Sequence, residues 1–135
     1  MEIVVDTNIL ISSLIKSVRI RELICSQKLI LYAPEHIIAE CLRHKTEIID
    51  LAGIEIYDFN KLIAILLGKI NIVPEEEFKL FIKEALKLVT HPEDAPFIAV
   101  ALAMNIPLWT DDKALKQQSI VKIFTTGELF NLINS

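Results

Sequence analysis

Short apolar runs alternate along the chain with longer stretches in which apolar residues recur every three or four positions. Ile3-Val4-Val5 has the form of a buried strand, ended by Asp6-Thr7-Asn8, residue types that favour turns and helix caps. Helical patterning follows to about Lys16 and again over 18–26, and Leu29-Ile30-Leu31-Tyr32 reads as a second strand stopped by Pro34. One helix is predicted over 35–51, because Ile37, Ile38, Cys41, Leu42, Ile48 and Ile49 fall on one arc of a 100° wheel. A helix over 58–67 and a strand at Ile70-Asn71-Ile72-Val73 come next. Residues 75–89 place Phe78, Phe81, Ile82, Ala85 and Val89 at helical spacing, with Lys79, Lys83 and Lys87 on the far side as a solvated stripe. The apolar run 95–104 predicts a buried helix, with Pro96 in the first turn where its missing N–H does no harm. A strand at 107–110, a short helix at 111–117 and a strand at 121–125 complete the pattern. Thr125-x-x-Glu128 then has the form of a capping box for a terminal helix.

Strands that alternate with helices, several of them apolar throughout, imply a parallel sheet covered on both faces. The expected fold is α/β, a three-layer α/β/α sandwich around a parallel sheet of about four to five strands, with residues 1–135 forming one domain. Sheets of this kind place their sites beyond the carboxyl ends of the strands.

Composition narrows the functional classes. Hydrophobic residues make up 53% of the chain and mean hydropathy is +0.46, which excludes a solvated, disordered chain. The 48 Ile, Leu and Val residues exceed what a lone small core uses, and a homodimer interface would absorb the surplus. The longest run without a strongly polar residue is ten positions, against roughly 20 for a membrane span, so no membrane insertion is expected. The first residues show no basic segment followed by a cleavage site, so no secretory leader is expected. Cys25 and Cys41 lack metal or redox spacing and read as reduced, half-buried thiols of a cytoplasmic protein. With glycine only at 53, 68 and 127, the chain holds no dinucleotide fingerprint, phosphate loop or nucleophile elbow.

Four acids stand where they can converge. Asp6 closes the first strand, Asp111-Asp112 follow the strand ending at Thr110, Asp94 lies at a helix start, and Glu40 sits just beyond the apolar arc of its helix. Singly, each has an ordinary reading as a cap, a dipole partner or a surface charge. Jointly they describe an acidic pocket. Two like charges ~4 Å apart repel by about 4 kcal/mol at an effective dielectric of 20, so such a pocket must take up protons or bind a cation. Oxygen ligands without thiolate favour Mg²⁺ or Mn²⁺. His36, Glu40 and His44 offer a rival site, but eight residues of helix rise ~12 Å and one ion cannot bridge both histidines. His91, before Pro92, reads as a loop residue.

With these residues in view, the chain resembles the PIN-domain family, which includes the ribonuclease toxins of VapBC-type toxin–antitoxin modules. The resemblance rests on Ile3-Val4-Val5-Asp6-Thr7-Asn8-Ile9-Leu10, Ile37-Ile38-Ala39-Glu40-Cys41-Leu42, Glu93-Asp94-Ala95-Pro96-Phe97-Ile98-Ala99 and Ile106-Pro107-Leu108-Trp109-Thr110-Asp111-Asp112-Lys113. Thr125-Thr126-Gly127-Glu128-Leu129 resembles the closing segment of many archaeal members. The resemblance implies that Asp6, Glu40, Asp94 and Asp112 are the family's four acids, supported by Thr7, Asn8 and Thr110. The Asp111-Asp112 doublet leaves two candidates for the fourth place, and no fifth acid follows in Lys113-Ala114-Leu115. It further implies hydrolysis of RNA phosphodiesters with Mg²⁺ or Mn²⁺, in which Asp6, Asp94 and Asp112 hold the metal and Glu40 completes the shell or orients water. A homodimer and an antitoxin peptide inserted in the acidic cleft are the implied protein partners.

The formal charge of −4 argues against RNA binding only until the four acids are set aside, which leaves fourteen acidic and fourteen basic residues. Arg19, Arg21, Arg43, Lys45, Lys113 and Lys116 are the candidate phosphate contacts. A phosphatase of the haloacid-dehalogenase type would need a second acid where Asn8 stands. The remaining alternative is a catalytically inactive PIN module that binds RNA or a partner as a scaffold.

Overall fold

The computed structural model describes all residues, 1–135. Its centre is a sheet of five parallel strands, β1 (Glu2–Val5), β2 (Ile30–Pro34), β3 (Ile70–Val73), β4 (Leu108–Trp109) and β5 (Ile123–Phe124), in the order β3-β2-β1-β4-β5. Ile3, Val4 and Val5 are fully buried, as expected of a central strand covered on both faces. Val4 pairs with Tyr32 on one side and Leu108 on the other. The chain therefore builds outward from β1 to β3, then returns to place β4 on β1's free edge. The strand order reverses at the β1/β4 boundary, where sheets of this kind open a crevice at the carboxyl ends.

Eight α-helices flank the sheet: α1 (Thr7–Ile15), α2 (Val18–Ile24), α3 (His36–Arg43), α4 (Lys45–Ala52), α5 (Ile56–Leu67), α6 (Ile82–Leu88), α7 (Ala95–Met104) and α8 (Thr126–Ile133). Right-handed crossovers put α1–α5 on one face and α6–α7 on the other. The packing agrees, since α1 meets α2, α3, α4 and α5, while α7 meets α6 and the strands β1, β2 and β4. Phe97, Ile98, Ala99, Val100 and Ala101 are all buried, so α7 is apolar around its whole circumference because it lies inside the protein. It ends on Asn105 in the left-handed conformation (φ 55°), which asparagine tolerates better than most residues. No helix is long and apolar enough to cross a membrane.

Several expected boundaries move. The helix predicted over 35–51 is broken at His44 (φ −94°, ψ 10°) into α3 and α4. The bend lets Ile37, Cys41 and Ile48 reach the core and leaves Ile38 and Leu42 exposed, so the single arc of the wheel does not survive. The helix predicted over 75–89 begins as two 3₁₀ turns, Glu75–Glu77 and Lys79–Phe81, and becomes α6 only at Ile82. Between the turns, Phe78 leaves helical geometry (φ −130°) and its ring is fully buried. Pro34 does not stop β2 early but forms its last pair, opposite Val73. The strands expected at 107–110 and 121–125 shrink to two residues each, and the short helix at 111–117 is a 3₁₀ turn, Lys113–Gln117. Cys25 is exposed and Cys41 buried, rather than both half-buried, and both are free thiols.

Candidate functional site

Asp6 is the first residue beyond β1, and Thr110-Asp111-Asp112 leave β4 beside it, tied by the Asp6 N–H to the Trp109 carbonyl at 3.1 Å. Asp6 occupies the N-cap position of α1, yet its side chain caps nothing. Only 4% exposed, its carboxylate instead accepts a 2.8 Å hydrogen bond from the Thr110 hydroxyl, which is fully buried. That hydroxyl accepts in turn from the Asp112 N–H at 3.1 Å, so one threonine links the two segments. Burial pushes the Asp6 pKa up. The Thr110 hydroxyl and the nearby amides of Asn8 and Thr7 pull the other way, and the Asp112 charge adds to the rise.

The Asp111-Asp112 doublet divides its work. Asp111 accepts from the Thr126 N–H at 2.7 Å and the Thr126 hydroxyl at 2.6 Å, and that hydroxyl accepts from Trp109 Nε1 at 3.0 Å. Asp111 thereby ties the end of β4 to the start of α8. Asp112 caps the following 3₁₀ turn through Ala114 N–H at 3.0 Å, and its charge is felt by both Asp6 and Asp94.

Asp94 ends a 3₁₀ turn, Pro92–Asp94, and stands at the N-cap of α7 without making a capping bond. Burial first, then the charges of Asp6 and Asp112, push its pKa up to about 6, while His91 opposes the shift. Glu40, half-buried on α3, is raised by burial and then by Asp6, against the opposing charge of Arg43. The Thr7 hydroxyl lies close enough to favour the charged form of Glu40. It falls short of hydrogen-bond geometry, and its buried oxygen has no partner. Asp6 thus feels, or is felt by, each of the other three acids. Beside them, Asn8, Ile9, Ser12, Asp111 and Asp112 line an open depression of about 340 Å³.

The carboxylates share a field without yet sharing a centre: no three His, Cys, Asp or Glu side chains are gathered at metal-holding distance. The donor set fits a hard divalent cation in kind, being all oxygen, with one member buried and uncapped and another held near pH 6. The rival histidine site does not form. His36 packs its ring against Phe78 with Nδ1 buried and unpaired, and His44 turns to Glu47 at 3.5 Å.

Among the candidate phosphate contacts, Arg19 stacks over Phe130, Lys45 lies over Phe59, and Lys116 pairs with Glu128 at 2.8 Å. The Lys116 bond and the capping box hold Glu128 down at about 2. The Arg21 Nε is buried without a partner. Arg43 is near enough for its charge to act on Glu40, and Lys113 directly follows Asp112 in the chain. His91 had no sequence signal beyond preceding Pro92, and it stands close enough to Asp94 to oppose its pKa shift.

A pH dependence follows from Asp94. Because its folded-state pKa lies above the ordinary 3.8, the native chain holds a proton that the unfolded chain releases. Its contribution to stability is complete below about pH 4 and is lost as pH rises through about 6. In metal-free urea titrations, the wild type should therefore lose stability relative to Asp94→Asn between pH 4 and 7. A constant difference across that range would show that Asp94 titrates normally.

The PIN domain family matches residues 4–129. No curated protein matches the chain. Among solved structures, it is similar to a chain in the crystal structure of VapBC2 from Rickettsia felis bound to a DNA fragment from their promoter. The match has a TM-score of 0.73 at 14% identity, covering 93% of this chain and 98% of that one. That likeness is one of fold. The sequence match across nearly the whole length is decisive, and the chain belongs to the PIN domain family.

Proposed function

We propose that the chain is a metal-dependent endoribonuclease, a hydrolase of RNA phosphodiesters that serves as the toxin of a VapBC-type pair in the cytoplasm. The observation that carries this reading is the buried, uncapped Asp6 carboxylate at the β1/β4 crevice, electrically coupled to Asp94, Asp112 and Glu40. No capping hydrogen bond to α1 forms at that carboxylate, although the amides of Thr7 and Asn8 lie close enough to favour its charged form. PIN membership supports nuclease chemistry, and the shared fold with a VapBC2 chain supports an antitoxin partner.

In this reading Asp6, Asp94 and Asp112 hold Mg²⁺ or Mn²⁺. When bound, the cation supplies Lewis acidity towards the scissile phosphate and towards a water. Thr110 fixes the Asp6 carboxylate through its hydroxyl and sets the Asp112 backbone in register with it. Glu40, with its pKa raised, accepts a hydrogen bond from the attacking water and aims it. Asn8 lines the depression beside the acids and supports Asp6 through its backbone amide. An antitoxin would block the cleft by presenting a basic side chain to the same carboxylates, and the exposed aliphatic residues of the helices would serve a homodimer.

The test is incubation of end-labelled structured RNA with the purified chain and Mg²⁺ or Mn²⁺, with EDTA as control. Cleavage that requires the cation is the expected result. Intact RNA under every condition, with RNA or a protein partner still bound, would favour the scaffold alternative.

A further inference from the structure

Thr7 carries a buried hydroxyl that no contact within its own helix explains. The residue is 3% exposed, and its Oγ1 is shut off from solvent without a hydrogen-bond partner. Nearly every buried hydroxyl in a folded protein is paired, because a bare one forfeits the bonds that water gave it. Ser13, on the same helix and equally buried, meets the rule by donating to the Leu10 carbonyl. Thr7 has no such recourse. It is the first residue of α1, so no earlier turn of the helix offers it a carbonyl. The other two unpartnered side-chain atoms, Arg21 Nε and His36 Nδ1, belong to residues that are partly exposed.

The backbone amide and the hydroxyl of Thr7 serve different acids. The amide lies close enough to Asp6 to favour its charged form, whereas the hydroxyl acts on Glu40. Asp6 already has a hydroxyl partner in Thr110. The Glu40 carboxylate has no ion pair, and besides Thr7 only the charges of Arg43 and His36, from its own helix, favour its ionised form. Helix α3 packs against α1. Along α3, Ile37 and Cys41 are fully buried, and Glu40, three positions after one and one before the other, stands half-buried at the margin of that inward face. A donor short of an acceptor and an acceptor short of a donor thus stand on two helices in contact.

We propose that Thr7 is a positioning residue for Glu40: in the working site its hydroxyl donates to one carboxylate oxygen and leaves the other for the attacking water. The proposal rests on the ribonuclease reading above, in which Glu40 aims that water. A glutamate side chain is long and flexible, and one without a fixed contact samples several rotamers, so the water is aimed only part of the time. Two threonines then hold the site by the same device, Thr110 on Asp6 and Thr7 on Glu40.

A double-mutant cycle in EDTA tests the link without any cleavage. Urea unfolding of the unaltered chain, Thr7→Val, Glu40→Ala and the double variant gives four folding constants. Valine keeps the shape of threonine and removes the hydroxyl. Thr7→Val should lower the folding constant about fivefold where Glu40 is present, and leave it unchanged or raised in the Glu40→Ala background. An equal effect in both backgrounds, of either sign, would overturn the link, even in a chain that cleaves RNA normally. The role is read from steady-state cleavage of a short RNA with Mg²⁺. Thr7→Val should lower kcat about 30-fold and change KM less than about twofold, and Thr7→Ser, which keeps the hydroxyl, should recover most of kcat. Coupling in the cycle with kcat unchanged in Thr7→Val would make the contact structural and overturn the positioning role, as would a serine variant as slow as the valine one. If the unaltered chain cleaves no RNA, the ribonuclease reading fails and takes the role with it, whatever the cycle gives.

Discussion

Asp6→Asn is expected to lower RNA cleavage by more than about 100-fold while leaving the fold as stable as before, or more so. Loss of a residue one shell out from a metal already costs 10–100-fold, and Asp6 is at the centre of the proposed ligand set. The amide keeps the shape of the carboxylate and can still accept the hydrogen bond from Thr110. What disappears is a buried negative charge that burial and Asp112 both disfavour. Activity and stability should therefore move independently. The cleavage assay and a thermal melt on the same preparation decide the matter, and undiminished cleavage in the variant would remove Asp6 from the site. A large drop in melting temperature would instead show that the carboxylate holds the fold together.

Trp109→Ala should cost about 3–5 kcal/mol of stability, a large part of the 5–15 kcal/mol typical of a domain. Trp109 is fully buried, and it forms half of a two-residue strand, so little else anchors β4. Its indole N–H also donates to Thr126, the residue that Asp111 holds at the start of α8. Trp109→Phe keeps a buried aromatic ring but loses the hydrogen bond and part of the indole's volume, for an expected cost of about 2 kcal/mol. Urea midpoints for the two variants separate packing from polar anchoring. Equal costs would mean that the hydrogen bond, and not the ring, secures this corner.

The elements that could be read from sequence were those whose apolar pattern matched their final burial. Ile70–Val73 and Ala95–Met104 appear where the pattern predicts them, and the Thr125/Glu128 capping box forms with both of its bonds. Periodicity failed where tertiary demand bent a helix partway along. Nothing local marks His44 as a break, and a buried Phe78 ring overrides the helical spacing around it. At the site, residue types and intervals point to Asp6, Glu40, Asp94 and Asp112; the fold sets Asp6 within electrostatic reach of the other three but does not gather three of them at metal-holding distance. Sequence could not divide Asp111 from Asp112, because the division depends on Thr126, fifteen residues further on. Nor could it foresee that Arg19, Lys45 and Lys116 would be engaged by Phe130, Phe59 and Glu128.

The unequal halves of the sheet carry one more consequence. β1, β2 and β3 are four or five residues long, whereas β4 and β5 have two each. The arm bearing Thr110 and Asp112 is therefore the thinly stitched side of the molecule, where local opening costs least and amide hydrogens should exchange soonest. A ligand that drew the acids together would fasten this loose margin to the rigid half, so occupancy of the cleft would register as slower exchange at the seam between β1 and β4.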